Sequence, residues 1–123
     1  MTGMDESSAG PGAVRLVHDD DRERYEALEG AEVVGVLYYG DETPAAGAGV
    51  ASTTVRDLRS TVVAPERSGR GVGTALVRFA LEDARDRGLR VRATCWFARG
   101  ILERPEHADL REDPAEDEGR ATR

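Results

Sequence analysis

The sequence predicts an α/β (α+β) fold: a mixed, mostly antiparallel sheet of about five strands, a long helix and a short C-terminal helix. Three observations carry this. Short Val- and Tyr-rich runs between turn residues fill the first half of the chain. Val72 to Arg87 repeats its apolar residues Val72, Leu76, Phe79 and Ala80 at helical spacing. A further apolar run, Leu89 to Cys95, follows that helix. A strand–helix–strand crossover makes the two flanking strands parallel, whatever the rest of the sheet does.

Taken in order, residues 1–12 are small and polar and read as a disordered tail. Residues 14–18 are a short apolar stretch, closed by the turn Asp19-Asp20-Asp21. Arg22 to Leu28 alternates weakly, as a strand does, and Glu29-Gly30 is a hairpin signal. Glu32 to Tyr39 is a strong strand. Residues 40–49 hold Gly, Pro, Asp and Thr and read as a long loop. Ala51 to Arg56 and Leu58 to Val63 read as a second pair of strands, parted at Asp57. The helix after them carries Asp83 and Arg87 as an i,i+4 pair and ends at Gly88, placed to cap it. Phe97 to Arg104 reads as a short helix stopped by Pro105. From Arg111 the chain is charged and poor in apolar residues. The expected organisation is one domain over residues 13–110, between disordered tails at 1–12 and 111–123.

Composition narrows the function classes. The net charge of −7 argues against nucleic-acid binding. No stretch is apolar enough to span a membrane, and the N-terminus has no signal-peptide pattern, so a cytoplasmic protein without a membrane partner is expected. The single Cys excludes an internal disulfide framework, and with His18 and His107 it is too isolated for a metal site. All 17 basic residues are Arg. Residues 1–30 carry eight acids and three Arg, whereas residues 55–104 carry six acids and eleven Arg. That local positive excess would draw a phosphorylated ligand. Arg78, Arg85 and Arg87 read instead as a solvated helix face.

The excess surrounds the most informative segment, Val63-Ala64-Pro65-Glu66-Arg67-Ser68-Gly69-Arg70-Gly71-Val72-Gly73-Thr74. An apolar run ends in a Pro turn, and a loop with alternating glycines opens into the helix. A helix N-terminus has unpaired N–H groups and a partial positive charge, and glycines let phosphates approach them. The Walker loop is excluded because the chain has no Lys. The dinucleotide fingerprint fits poorly: counted from Gly69 or Gly71, its sixth position is Thr74 or Leu76 rather than Gly.

The spacing V-x-P-x-x-x-G-x-G-x-G-x-x-L resembles the pyrophosphate loop of the GNAT N-acetyltransferases. The resemblance runs from about Val14 to Leu110, and Cys95-Trp96-Phe97 with Arg104-Pro105-Glu106-His107 is similar to the ending of a minimal, single-domain branch. It implies an acetyl-CoA-dependent transferase acting on a small-molecule or protein amine. The implied cofactor-binding residues are Val62, Val63, Ser68, Gly69, Arg70, Gly71, Val72, Gly73 and Thr74; the family usually has Arg or Gln at the Ser68 position, and Arg70 would supply the positive charge missing there. In the branch, His and Glu usually stand where this chain has Ser60 and Val62, and Tyr where it has Gly100. Neither Ser60 nor Val62 can serve as a general base. Cys95 is the candidate catalytic residue, either as an acetyl acceptor or as a pocket-lining hydrophobe. Two functions stay open on these residues, an amine acetyltransferase and an acyl-CoA-binding module that has lost the chemistry.

Overall fold

The computed structural model describes residues 14–43 and 54–111. The strands are β1 (Arg15–Asp19), β2 (Arg24–Glu29), β3 (Glu32–Glu42), β4 (Val55–Val63) and β5 (Arg90–Ala93). A short 3-10 turn, Pro65–Arg67, precedes helix α1 (Val72–Arg87). Helix α2 (Trp96–Leu102) and a second 3-10 segment, Pro105–Leu110, follow β5. The five strands lie in sequence order in one sheet. β1 to β4 pair antiparallel, and β5 pairs parallel with β4. The expected fold class and the parallel crossover are therefore both present.

Why α1 forms is plain in its residues. Val72, Leu76, Val77, Ala80, Leu81 and Ala84 make a continuous buried stripe at helical spacing. The stripe lies on the sheet face that carries Tyr25, Ala27, Leu37 and Leu58, and these side chains form the core. Phe79, half-buried, meets the Tyr25 ring edge-on with centroids 5.7 Å apart. Gly88 ends the helix in the left-handed conformation, and Arg87 Nε donates to both Asp83 oxygens at 2.9 Å.

Some elements differ from the sequence-based expectation. Residues 15–19 are a full edge strand. The 51–56 and 58–63 pair is one strand from Val55 to Val63, running straight through Asp57, while 51–53 lie outside the described residues. A charged residue looked like a break, but the Asp57 carboxylate is satisfied by Thr94, 37 positions later. β3 runs on through Gly40 to Glu42, so the expected loop cannot begin before residue 43. Residues 44–49 and the tails at 1–12 and 112–123 lie outside the described residues. Arg111 is not part of a tail: it bridges Val91 and donates to the Leu102, Glu103 and Arg104 carbonyls. Arg85 does not stand free in solvent either, because it pairs with Asp109 at 2.9 Å and ties α1 to the last turn.

At the start of β4, a polar network is built into the core. Arg56, 4% exposed, donates to both Asp41 oxygens at 2.7 and 2.8 Å and to the Tyr25 hydroxyl at 2.8 Å. Its guanidinium lies 4.0 Å from the Tyr39 ring centroid. Tyr25 in turn donates to Asp83 at 2.8 Å. His18 Nδ1 faces Arg87 at 3.2 Å, so it accepts, and Nε2–H then donates to the Tyr39 hydroxyl at 2.6 Å. That is the neutral imidazole, and burial together with Arg56 and Arg87 holds its pKa below the ordinary value despite Asp83. Burial pushes the Asp83 carboxyl up, but donation from Arg87 and Tyr25 outweighs it and the net shift is downward.

Both shifts are downward, so both contributions are present at neutral pH and are lost on acidification. The His18 part fades as pH falls below 6.5, its ordinary pKa. Chemical denaturation should show lower stability at pH 5 than at pH 7, and His18→Asn should shrink that difference. Arg56→Met leaves Asp41 and Asp83 without their shared buried cation. It should cost about 3 kcal/mol at neutral pH, read from urea unfolding. A cost under about 1 kcal/mol would mean that the network contributes little.

Candidate functional site

The site begins where β4 and β5 part. Their pairing ends at Leu58 and Ala93. There the Leu58 carbonyl accepts N–H bonds from both Thr94 and Cys95 at 3.0 Å. Asp57, 5% exposed, holds Thr94 alongside, accepting from its N–H at 3.0 Å and from its hydroxyl at 2.9 and 3.0 Å. On the other side of β4 the register against β3 shifts: Tyr38 faces Ser60 but Tyr39 faces Leu58, so Arg59 is an extra, bulged residue. Beyond this fork β4 continues alone to Val63, while the chain after Ala93 turns into α2.

The divergence leaves a cleft of about 460 Å³. Thr61 and Val63 form its floor, Cys95, Trp96 and Phe97 one wall, and the loop from Arg67 into α1 the other. Ala64 N donates to Val34 O at 2.8 Å, on the β3 side. Main-chain groups alternate sides along a strand, so Thr61 and Val63 turn their N–H and C=O into the cleft. These are the unpaired strand groups an amide-bearing ligand arm would use.

Gly71, the residue before α1, has φ 83°, a conformation that L side chains rarely adopt. It turns the first N–H groups of the helix outward. The first bond inside the helix runs from Ala75 N to Gly71 O at 2.9 Å, which leaves the N–H groups of Val72, Gly73 and Thr74 without helical acceptors. No side chain caps them, and no acid sits in the first turn. Gly73 has a different role. A Cβ there would lie 3.1 and 3.2 Å from ring atoms of Phe97, so its absence lets α2 pack against α1.

Of the residues expected from sequence, Val63, Ser68, Gly69, Gly71, Val72, Gly73, Thr74 and Cys95 line this one cleft. Val62 and Arg70 do not. Val62 is 56% exposed, on the sheet face away from α1, and Arg70 is exposed outside the lining. Arg67 lines the cleft in its place, with its guanidinium paired to Glu29. Thr61, expected with Val62 and Val63 to offer backbone groups to a ligand's amides, also lines it; Trp96 and Phe97 do so without having been singled out as ligand contacts. His107 is a packing residue, 7% exposed on the second 3-10 segment. Ser60 is exposed, and a Cβ at Gly100 would meet nothing within 4 Å.

Cys95 is the residue before the first turn of α2. Burial pushes its thiol up, but N–H groups of Ala98 and Phe97 and the Thr61 hydroxyl, 3.5 Å away, stabilise the thiolate and bring the net shift below the ordinary value. The sequence showed no side chain able to do this: the Phe97 and Ala98 contributions are main-chain N–H groups at the start of α2, and Thr61, 34 positions away, comes close only through the fork. Among the described side chains lining the cleft there is no carboxylate, imidazole or phenol.

Residues 24–110 match the family described as GCN5-related N-acetyl-transferase. The chain belongs to that family. Solved structures agree at the level of fold. A GCN5-like protein from Staphylococcus aureus has TM-score 0.55 at 21% identity, covering 80% of this chain and 87% of that one. An acetyltransferase from Vibrio fischeri has TM-score 0.54 at 16% identity, covering 63% of this chain and 65% of its own. A ribosomal-protein-alanine N-acetyltransferase from Brucella melitensis has TM-score 0.51 at 18% identity, covering 65% and 59%. The chain therefore spans less than two thirds of the Vibrio and Brucella proteins. No curated protein matches it in sequence. No helix among the described residues is long and apolar enough to cross a membrane.

The Cys95 environment has a direct readout. A lowered thiol pKa puts more thiolate in solution at a given pH, so alkylation by iodoacetamide should reach half its limiting rate below the pH typical of a free cysteine. Thr61→Val removes one stabilising donor and should move that midpoint upward. An unmoved midpoint would mean that the hydroxyl does not bond the thiolate.

Proposed function

We propose that the chain is an acetyl-CoA-dependent N-acetyltransferase whose acceptor is an amine. One observation carries the reading: a strand with unpaired main-chain groups and an uncapped, acid-free helix N-terminus face the same cleft, with Cys95 on its wall. The first suits the amides of a pantetheine arm, the second a pyrophosphate. The residues fit the ligand: Thr61 and Val63 would hold the arm, and Ser68 to Thr74 the phosphates. The thioester would then lie near the fork.

The chemistry asked of the protein is modest. The amine nitrogen attacks the thioester carbonyl carbon, the C–S bond breaks, and CoA leaves as its thiolate. A cleft-facing N–H of β4 polarises the carbonyl oxygen. With no carboxylate, imidazole or phenol among the described lining side chains to act as general base, the amine arrives neutral and gives its proton to water. Turnover should therefore be slow and should rise with pH as the amine deprotonates. Cys95 lines the acetyl end of the cleft in this reading and is not acetylated. The same lack of a base supports a second reading, an acyl-CoA-binding module without turnover; incubation of the chain with acetyl-CoA and a panel of amines separates the two.

Gly71→Val and Gly73→Val are the informative variants for binding. The first strains the loop, and the second drives α2 off α1 through Phe97. Each should weaken CoA binding at least tenfold, about 1.4 kcal/mol, by calorimetry. Unchanged affinity in both variants would remove the loop from the site. Cys95→Ser should keep CoA binding and most of whatever turnover exists. A stable acetyl adduct on Cys95 by mass spectrometry, with loss of transfer in the Ser variant, would instead establish a covalent route.

A further inference from the structure

The loop that faces the cleft carries Arg67 and Arg70, and the structure treats them differently. Arg70 is exposed and touches nothing in the cleft. Arg67 lines it, and its side chain is only 21% exposed. One Nη of Arg67 is bonded to Glu29, the last residue of β2. The hairpin turn after Glu29 brings that carboxylate beside the Pro65–Arg67 turn at the end of the sheet. Arg67 Nε is buried and has no acceptor. A guanidinium presents its N–H groups as a planar fork, suited to an anion with several oxygens. One Nη is on Glu29, and Nε is enclosed without an acceptor. A buried donor without an acceptor is costly. Release from Glu29 would let the guanidinium turn and give its N–H groups, Nε included, to a phosphate on the neighbouring helix N-terminus.

Glu29 also has an electrostatic consequence. A carboxylate next to the phosphate-facing loop opposes an incoming anion, while it keeps the Arg67 charge compensated when no anion is there. We propose that Glu29 is an internal counter-ion that holds Arg67 at the rim of the cleft and is displaced from it by the ligand's pyrophosphate, so that Arg67, rather than Arg70, delivers side-chain charge to the ligand. This rests on the acyl-CoA reading of the cleft. Binding then exchanges one anion for another on Arg67, and Glu29 sets how much of its attraction reaches the ligand.

The test is a double-variant cycle with CoA, dephospho-CoA and pantetheine as probes, read by calorimetry. Arg67→Gln should weaken CoA about tenfold, and Arg70→Gln should weaken it less. Glu29→Gln should tighten CoA about threefold, a gain that misfolding cannot imitate. In the Arg67→Gln background, Glu29→Gln should no longer tighten it, because the two act as one unit. The Arg67 effect should persist with dephospho-CoA, which keeps the pyrophosphate, and vanish with pantetheine, which has no phosphate. Unchanged or weaker CoA binding in Glu29→Gln overturns the counter-ion proposal, as does an Arg67 effect that persists with pantetheine. If the wild type binds CoA and Gly71→Val abolishes that binding, the cleft reading survives such a failure. If the wild type does not bind CoA at all, both fall.

Discussion

The Leu58 carbonyl takes N–H bonds from Thr94 and Cys95 together, and beside it the buried Asp57 carboxylate takes the Thr94 N–H and hydroxyl. Those few bonds decide where the parallel pair ends. One residue earlier, β5 is an ordinary partner of β4. One residue later, the chain has turned away and α2 has begun. Without this fork β4 would be covered along its length, Thr61 and Val63 would spend their main-chain groups on a neighbouring strand, and Cys95 would not approach Thr61. The bulge at Arg59 acts with it, since an extra residue increases local twist and helps β4 bend from its neighbour.

The rest of the molecule keeps the fork rigid and the cleft open. The buried stripe of α1 fixes the helix on the sheet, and the missing side chain at Gly73 lets Phe97 seat α2 against its first turn. Arg85 and Arg111 then fasten the C-terminal turns to α1 and α2. At the other end of β4, Arg56 joins three strands and α1 through Asp41, Tyr25, Tyr39 and Asp83. A cleft bounded by such elements is largely pre-formed, and little ordering remains for a ligand to impose.

Much of this was legible in the residues. The helix Val72–Arg87 was, because sixteen residues sustain one apolar stripe and Gly88 ends it. The loop was, because Gly69, Gly71 and Gly73 alternate at a helix start. The continuity of β4 through Asp57 was not, since a lone acid reads as a break until Thr94 is known to face it. Choosing between the loop's two arginines was also beyond reach. Arg67 finds Glu29 from 38 positions away, and no local pattern records that contact. The same holds for the Thr61 hydroxyl beside Cys95, which the fork brings from 34 positions away. Local periodicity and turn chemistry could be read directly; pairings between distant polar side chains could not.

The claim that the fork and the helix N-terminus make one ligand site is tested most directly by amide NMR of the labelled chain as CoA is added. The shifts should concentrate on the N–H groups of Thr61 and Val63 and of Ser68 to Thr74, with β1 largely unmoved. Shifts confined to the loop, with Thr61 and Val63 still, would separate the strand from the site. An absence of shifts in both segments at saturating CoA would contradict the assignment altogether.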